Sequence, residues 1–331
     1  MTATDIIEAA RAGDEEVLAD LALRPDGRYQ YDETTLRQAT NHVSDVLRKG
    51  FEGRPDEDFP RVVIGWGKCR VGSTAMTNLF GIAGVPAYYQ PVKTVLRYLL
   101  TGGVGNPWNL PDDRPVLFAK EMAGPYVHCE ALFNPVACLV RAGWPASRIQ
   151  LLVLDREPRA SLSSWMNKWA ERIGRERVAE NYLLSSLSYA RMRAYADANG
   201  IGVTHCPYEA SRAPDRTVER LFTALGLTDL YRPEILTGWG RSGDLNSEHS
   251  KVIHPVEPRE FVVPGIHGAG DGYLYQTRSS AGLSSAEAAV AEEARAQYEI
   301  SVRRSVRELD LPRDVQETIY ASQSHDGSAH V

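Results

Sequence analysis

Gly65, Gly67, Gly72, Ser73 and Thr74 fall within residues 65–74, after the β-branched run Val62–Ile64 and before an apolar stretch with helical spacing. Glycines let the backbone turn tightly and aim N–H groups inward, the hydroxyls donate to the same oxygens, and the helix start adds its positive dipole end. Such a loop suits a phosphate or sulfate group. The nucleoside-triphosphate version, G-x-x-x-x-G-K-[ST], carries lysine directly before the hydroxyl residue. Here Gly72 precedes Ser73, and the basic residues Lys68 and Arg70 come earlier. A second segment, "LLVLDREPRASLSSW" at 151–165, ends an apolar strand with Arg156, then has Pro158, and carries Ser164 two turns into a helix. Arg156 and Ser164 are thus spaced to reach one anionic group.

The elements that must position these residues follow from periodicity. Short apolar runs at 62–64, 116–118, 149–154 and 201–205 are separated by helical stretches such as Ser73–Phe80, Arg159–Arg172 and Val178–Ala198. Strands alternating with helices predict an α/β fold, a central parallel β-sheet flanked by helices. Ligands in such sheets gather beyond the carboxyl ends of the strands, which puts 65–74, 119–128, 155–164 and 205–209 on one rim. Residues 1–58 read as a helical N-terminal arm, 59–312 as one α/β domain, and 313–331 as a C-terminal end with a frayed tail. The stretch 240–280 reads as a long loop folding over the site. Ser284 and Glu287 make a capping box for a helix running to about Leu309.

The two segments together resemble the two signatures of sulfotransferases that use 3′-phosphoadenosine 5′-phosphosulfate (PAPS), enzymes of P-loop nucleotide-binding type. The first signature, which holds the 5′-phosphosulfate, is matched by Arg70, Val71, Gly72, Ser73 and Thr74. The second, which holds the 3′-phosphate, is matched by Arg156, Pro158 and Ser164. A weaker third correspondence is Tyr208–Glu209 followed by Leu225, Gly226 and Leu227, where the family keeps a tyrosine near the adenine. The resemblance covers about residues 61 to 230. The family's late basic loop has no secure match, and Arg241 and Lys251 are its candidates.

The resemblance implies in-line sulfuryl transfer to a hydroxyl, with adenosine 3′,5′-bisphosphate (PAP) as by-product and no metal. Catalysis then consists of positioning and charge stabilisation. Arg70 stands where the family usually has lysine; arginine stays protonated and is a poor proton donor, so Lys68 is the expected mobile cation. Glu121 is the expected base and Lys120 helps to bind the transferring group, with His128 as the alternative base. Tyr88, Tyr89, Tyr98 and Trp108 are expected to line an amphipathic acceptor pocket. Trp165 and Trp169, four apart on a helix, read as packing.

Composition bounds the alternatives. With 43% hydrophobic and 24% charged residues the chain can bury an ample core, and a net charge of -6 gives no global attraction to nucleic acid or anionic membrane. Any anion site must be built locally. The acidic N-terminus, the lack of a long apolar run and four scattered cysteines lead to the expectation of a reduced, cytoplasmic protein. Thirty-one arginines outnumber six lysines, and two of those six, Lys68 and Lys120, follow expected strands. The partner expected is a small-molecule or carrier-tethered hydroxyl acceptor, with a homodimer left open. Two other functions stay open: a P-loop kinase or NTPase, for which Asp155 is the one near candidate to hold magnesium, and a non-catalytic nucleotide-binding protein.

Overall fold

The computed structural model describes residues 2–23, 34–239, 252–261, 271–276 and 282–324. The chain opens with α1 (Ala3–Ala12), α2 (Glu15–Ala19), an antiparallel pair β1 (Ala22–Leu23) and β2 (Thr34–Thr35), and α3 (Leu36–Phe51). Alternation then sets in: β3 (Arg61–Lys68), α4 (Ser73–Ile82), β4 (Ala87–Tyr89), α5 (Pro91–Leu100), β5 (Val116–Ala123), α6 (His128–Leu132) and α7 (Pro135–Ala142). It continues with β6 (Ile149–Asp155), α8 (Pro158–Ile173), α9 (Arg175–Ala198), β7 (Gly202–Pro207), α10 (Pro214–Ala224) and β8 (Val252–Ile253). Three helices close the chain: α11 (Ser285–Glu293), α12 (Arg295–Glu308) and α13 (Arg313–Ser324).

β3 to β8 form one sheet in the order β7-β6-β3-β5-β4-β8, with every neighbouring pair parallel. The expected α/β architecture is therefore present, with β4 and β8 added to the four strands read from periodicity. Both are short, three and two residues, too brief for an alternation signal.

Side chains alternate across the sheet and sort the core into two layers. Val62, Ile64 and Trp66 of β3, Leu117 and Ala119 of β5, and Leu151 and Val153 of β6 pack with α3, α5, α7, α8 and α9. Val63, Phe118, Met122, Leu152 and Leu154 face the other way, against α4, α10, α12 and α13. The arm joins the first layer directly: Ile6, Leu18, Val43, Leu47 and Phe51 belong to the same apolar cluster as β3.

The C-terminal capping box forms as spaced, Ser284 accepting from Glu287 N and Glu287 from Ser284 N. The helix it starts is two pieces, α11 and α12, meeting at Ala294. Residues 313–324 form α13, with Val315 and Ile319 buried, so helix occupies most of the expected C-terminal end; 325–331 lie outside the described residues. No helix among the described residues is long and apolar enough to cross a membrane.

Candidate functional site

From β3 the chain connects toward β4 on one side of the sheet, while β6 and β7 extend it on the other. The junction of β3 and β6 is thus a topological switch point, where the connections diverge and leave a crevice beyond the strand ends. Gly67 lets the two strands close up there: a Cβ on it would lie 2.1 Å from Leu154 O. The loop after β3 turns through Arg70 and Gly72, both with left-handed backbone (φ 68° and 80°), and Gly72 leads into α4 with no side-chain cap. The first-turn N–H groups of α4 have no carbonyl one turn back to bond. Gly72, Ser73, Thr74 and Ala75, at this helix start, line a cleft of about 270 Å³.

The loop is tied to the start of α8. Arg70 Nε donates to Ser164 Oγ at 3.1 Å, Arg156 Nη1 donates to Arg70 O at 3.2 Å, and Trp165 Nε1 donates to Cys69 O at 2.7 Å. Glu157 caps α8 through the N–H groups of Arg159 and Ala160. The Arg156 guanidinium lies 4.8 Å over the Tyr208 ring, which packs so closely on Gly72 that a Cβ there would be 2.5 Å from Tyr208 Cδ2. Arg156 is buried, and its Nε has no hydrogen-bond partner among the described residues. A buried unpaired guanidinium nitrogen is costly and marks a place for an acceptor atom.

Lys120 reaches the same cleft from β5. Its Nζ is 3.4 Å from Thr74 Oγ1 and 4.2 Å from the Tyr89 ring centre, and Tyr89 is its register partner on β4. Burial, with the like charges of Arg70 and Lys93, brings its pKa down to about 7, against Cys69 and Glu257, which raise it. Burial raises the pKa of the Cys69 thiol, which keeps it protonated and poorly nucleophilic.

Other expected site residues lie elsewhere, and alternation explains why. Lys68 and Asp155 share the face of Trp66 and Val153, opposite the cleft. Lys68 Nζ donates to Asp155 Oδ1 in a fully buried pair, beside the Tyr182 and Tyr189 rings. Asp155 also accepts from Ser301 Oγ at 2.9 Å and from Arg156 N at 2.8 Å. Lys68 is therefore not a mobile cation but a clasp between two strand ends. Glu121, next to Lys120, points to the α5 side and accepts from Val92 N at 2.7 Å and Lys93 N at 3.1 Å. Burial outweighs these bonds and pushes its pKa up to about 8. His128 sits at the start of α6 with Nε2 3.4 Å from Glu180, and it is not among the cleft-lining residues. Val71 contributes backbone to the loop and a side chain to the core. Tyr88 stacks edge-on with Trp108, and Trp108 on Trp144, all in the core; of the aromatics expected at the acceptor pocket, Tyr89 lines the cleft. Arg241 and Lys251 lie outside the described residues.

Several lining residues carried no local signal: Asn78, Gln90, Arg97, Glu257 and Gln276. Arg97 pairs with Glu257, 160 residues away, and with Glu130 at 3.1 Å, a buried cluster that only the fold assembles. Trp169 and Lys168 line the cleft from α8; Trp169 also packs edge-on against Trp165. The described lining carries five cations, Arg70, Arg97, Lys120, Arg156 and Lys168, against one carboxylate, Glu257. A chain of net charge -6 thus concentrates positive charge in one crevice, the signature of an anionic ligand. Comparison with protein-family models, curated proteins and solved structures finds no match for this chain.

Proposed function

We propose that the protein is a PAPS-dependent sulfotransferase of P-loop type that acts on a hydroxyl acceptor. The observation that carries this is the junction of two half-motifs 86 residues apart at one rim: Arg156 bonds Arg70 O while Arg70 bonds Ser164. The loop N–H groups, Ser73 and Thr74 hold the phosphosulfate, and Arg156, with its unused Nε, takes the 3′-phosphate. The acceptor oxygen attacks sulfur in line; the new S–O bond forms as the bond from sulfur to the bridging phosphate oxygen breaks, and PAP leaves with that oxygen. Lys120, protonated once an anion lies beside it, stabilises the developing negative charge. The hydroxyl proton passes to Glu257, the carboxylate among the described cleft residues, in place of Glu121 and His128.

A magnesium-dependent NTPase is less well supported, because both carboxylate oxygens of Asp155 are already engaged, by Lys68 and Ser301. A melting titration with PAP tests the proposal. At a hundredfold excess over Kd a ligand adds about 2.7 kcal/mol, so PAP is expected to raise the melting temperature clearly. Stabilisation by ATP with magnesium but not by PAP would sink it.

A further inference from the structure

Ser164, Lys168 and Arg172 stand four residues apart and form one ridge of α8. Ser164 is spoken for by Arg70; the other two continue the ridge away from the nucleotide loop. Lys168 lies about 15 Å along the helix from Pro158, at 1.5 Å per residue, and Arg156 precedes that proline. One phosphate cannot be centred on both ends.

Neither cation at the far end has a carboxylate partner among the described residues. Lys168 lines the cleft. Arg172 gives Nη1 to Tyr126 OH at 3.3 Å and Nη2 to Glu260 O at 2.8 Å, and its guanidinium lies 5.0 Å over the Tyr126 ring. These neutral partners orient Arg172 without cancelling its charge. Glu257, the carboxylate among the described lining residues, is held by Arg97. Burial, with the like charges of Arg70 and Arg172, lowers the Lys168 pKa. Beneath it lies an aromatic floor: Tyr126 is edge-on to Trp169 and to Phe261, and all three line the cleft.

We infer that the acceptor is itself an anion, a flat apolar molecule bearing a carboxylate or phosphate that Lys168 and Arg172 bind on the α8 side of the cleft. This rests on the sulfotransferase proposal for the role of acceptor, while the anion subsite is measurable without it. The nucleotide takes the Arg156 end, and the acceptor's anion anchors the other, turning its hydroxyl toward the loop.

The test uses the full chain and three matched probes: 4-hydroxybenzoate, 4-hydroxyphenyl phosphate and the neutral 4-hydroxybenzamide, titrated by calorimetry with and without saturating PAP. At least one anion is expected to bind about tenfold or more tighter than the amide, the weight of one charge-assisted bond. Benzoate against phosphate identifies the anion. Lys168→Ala should erase the preference, and Lys168→Gln, which keeps the stem packed, should do the same, while Kd for PAP changes less than about twofold. Equal binding of anions and amide, no saturable binding at millimolar concentration, or a preference surviving both substitutions overturns the inference. So does a large loss of PAP affinity in both variants, which would assign Lys168 to the nucleotide. Failure of PAP to bind the wild-type chain, with the Lys168-dependent preference intact, would instead end the sulfotransferase proposal and leave the subsite standing.

Discussion

Lys120 and Glu121 are neighbours in sequence and occupy different chemical worlds, because successive residues of a strand face opposite sides of the sheet. Lys120 faces the cleft; Glu121 closes the N-terminal end of α5. The pair was legible as chemistry at a strand end, but which member faces the cleft depends on sheet pairing, and no local pattern encodes that. Paired substitutions separate the roles. Glu257→Gln should cut sulfuryl transfer by about 10² or more, the usual weight of a general base, with PAP affinity retained, whereas Glu121→Gln should keep most transfer. The reverse outcome would return the base to Glu121. Glu121→Gln should act on stability instead. Its carboxyl is raised from 4.5 to about 8, so the folded state binds that proton more tightly than the unfolded one. The resulting stability is complete below pH 4.5 and is lost as pH rises through about 8. The variant lacks this loss, so its melting temperature should fall less than the wild type's between about pH 5 and pH 8.5; identical falls would refute the assignment.

At the scale of elements, the site depends on how closely β3 and β6 approach. Four strands were legible as apolar runs, and the first turns of α4 and α8 as hydroxyl and proline signals, because each is a property of a few consecutive residues. Gly67 was legible as a turn residue and proves to have another use. It sits within β3, where a methyl group would meet a backbone carbonyl of β6 and the Tyr189 hydroxyl, 2.8 Å away. Gly67→Ala should therefore part the strands that carry Lys68 and Asp155 and destabilise the fold by about 3 kcal/mol, the upper range for forced overpacking. Denaturant unfolding measures this; a change within about 0.5 kcal/mol, the range of neutral surface substitutions, would mean that the strands yield freely. The buried cluster of Arg97 with Glu257 and Glu130 was beyond reach of sequence patterns, since it joins α5 to segments 33 and 160 residues away.

Over the whole molecule, a net charge of -6 coexists with a crevice whose described lining is cationic, and the crevice lies where the chain reverses direction across its sheet. Overall composition hid this, because a net charge sums over the whole chain while the field in a crevice is set by the charges within about 10 Å. The tryptophans are distributed just as unevenly. Trp66, Trp108, Trp144 and Trp165 belong to the core, whereas Trp169 and Trp239 also line the cleft, at the α8 side and beside the segment Gly272–Gln276. The protein thereby carries its own optical gauge of occupancy. Excited at the indole band, it should change emission when PAP or an aromatic anion enters, and Trp169→Phe should silence the response to the hydroxybenzoate while sparing that to the nucleotide. A hydroxybenzoate response unchanged by Trp169→Phe would place that ligand away from the α8 side. Two indoles that the fold needs for packing would then time, in a stopped-flow cell, which of two ligands arrives first.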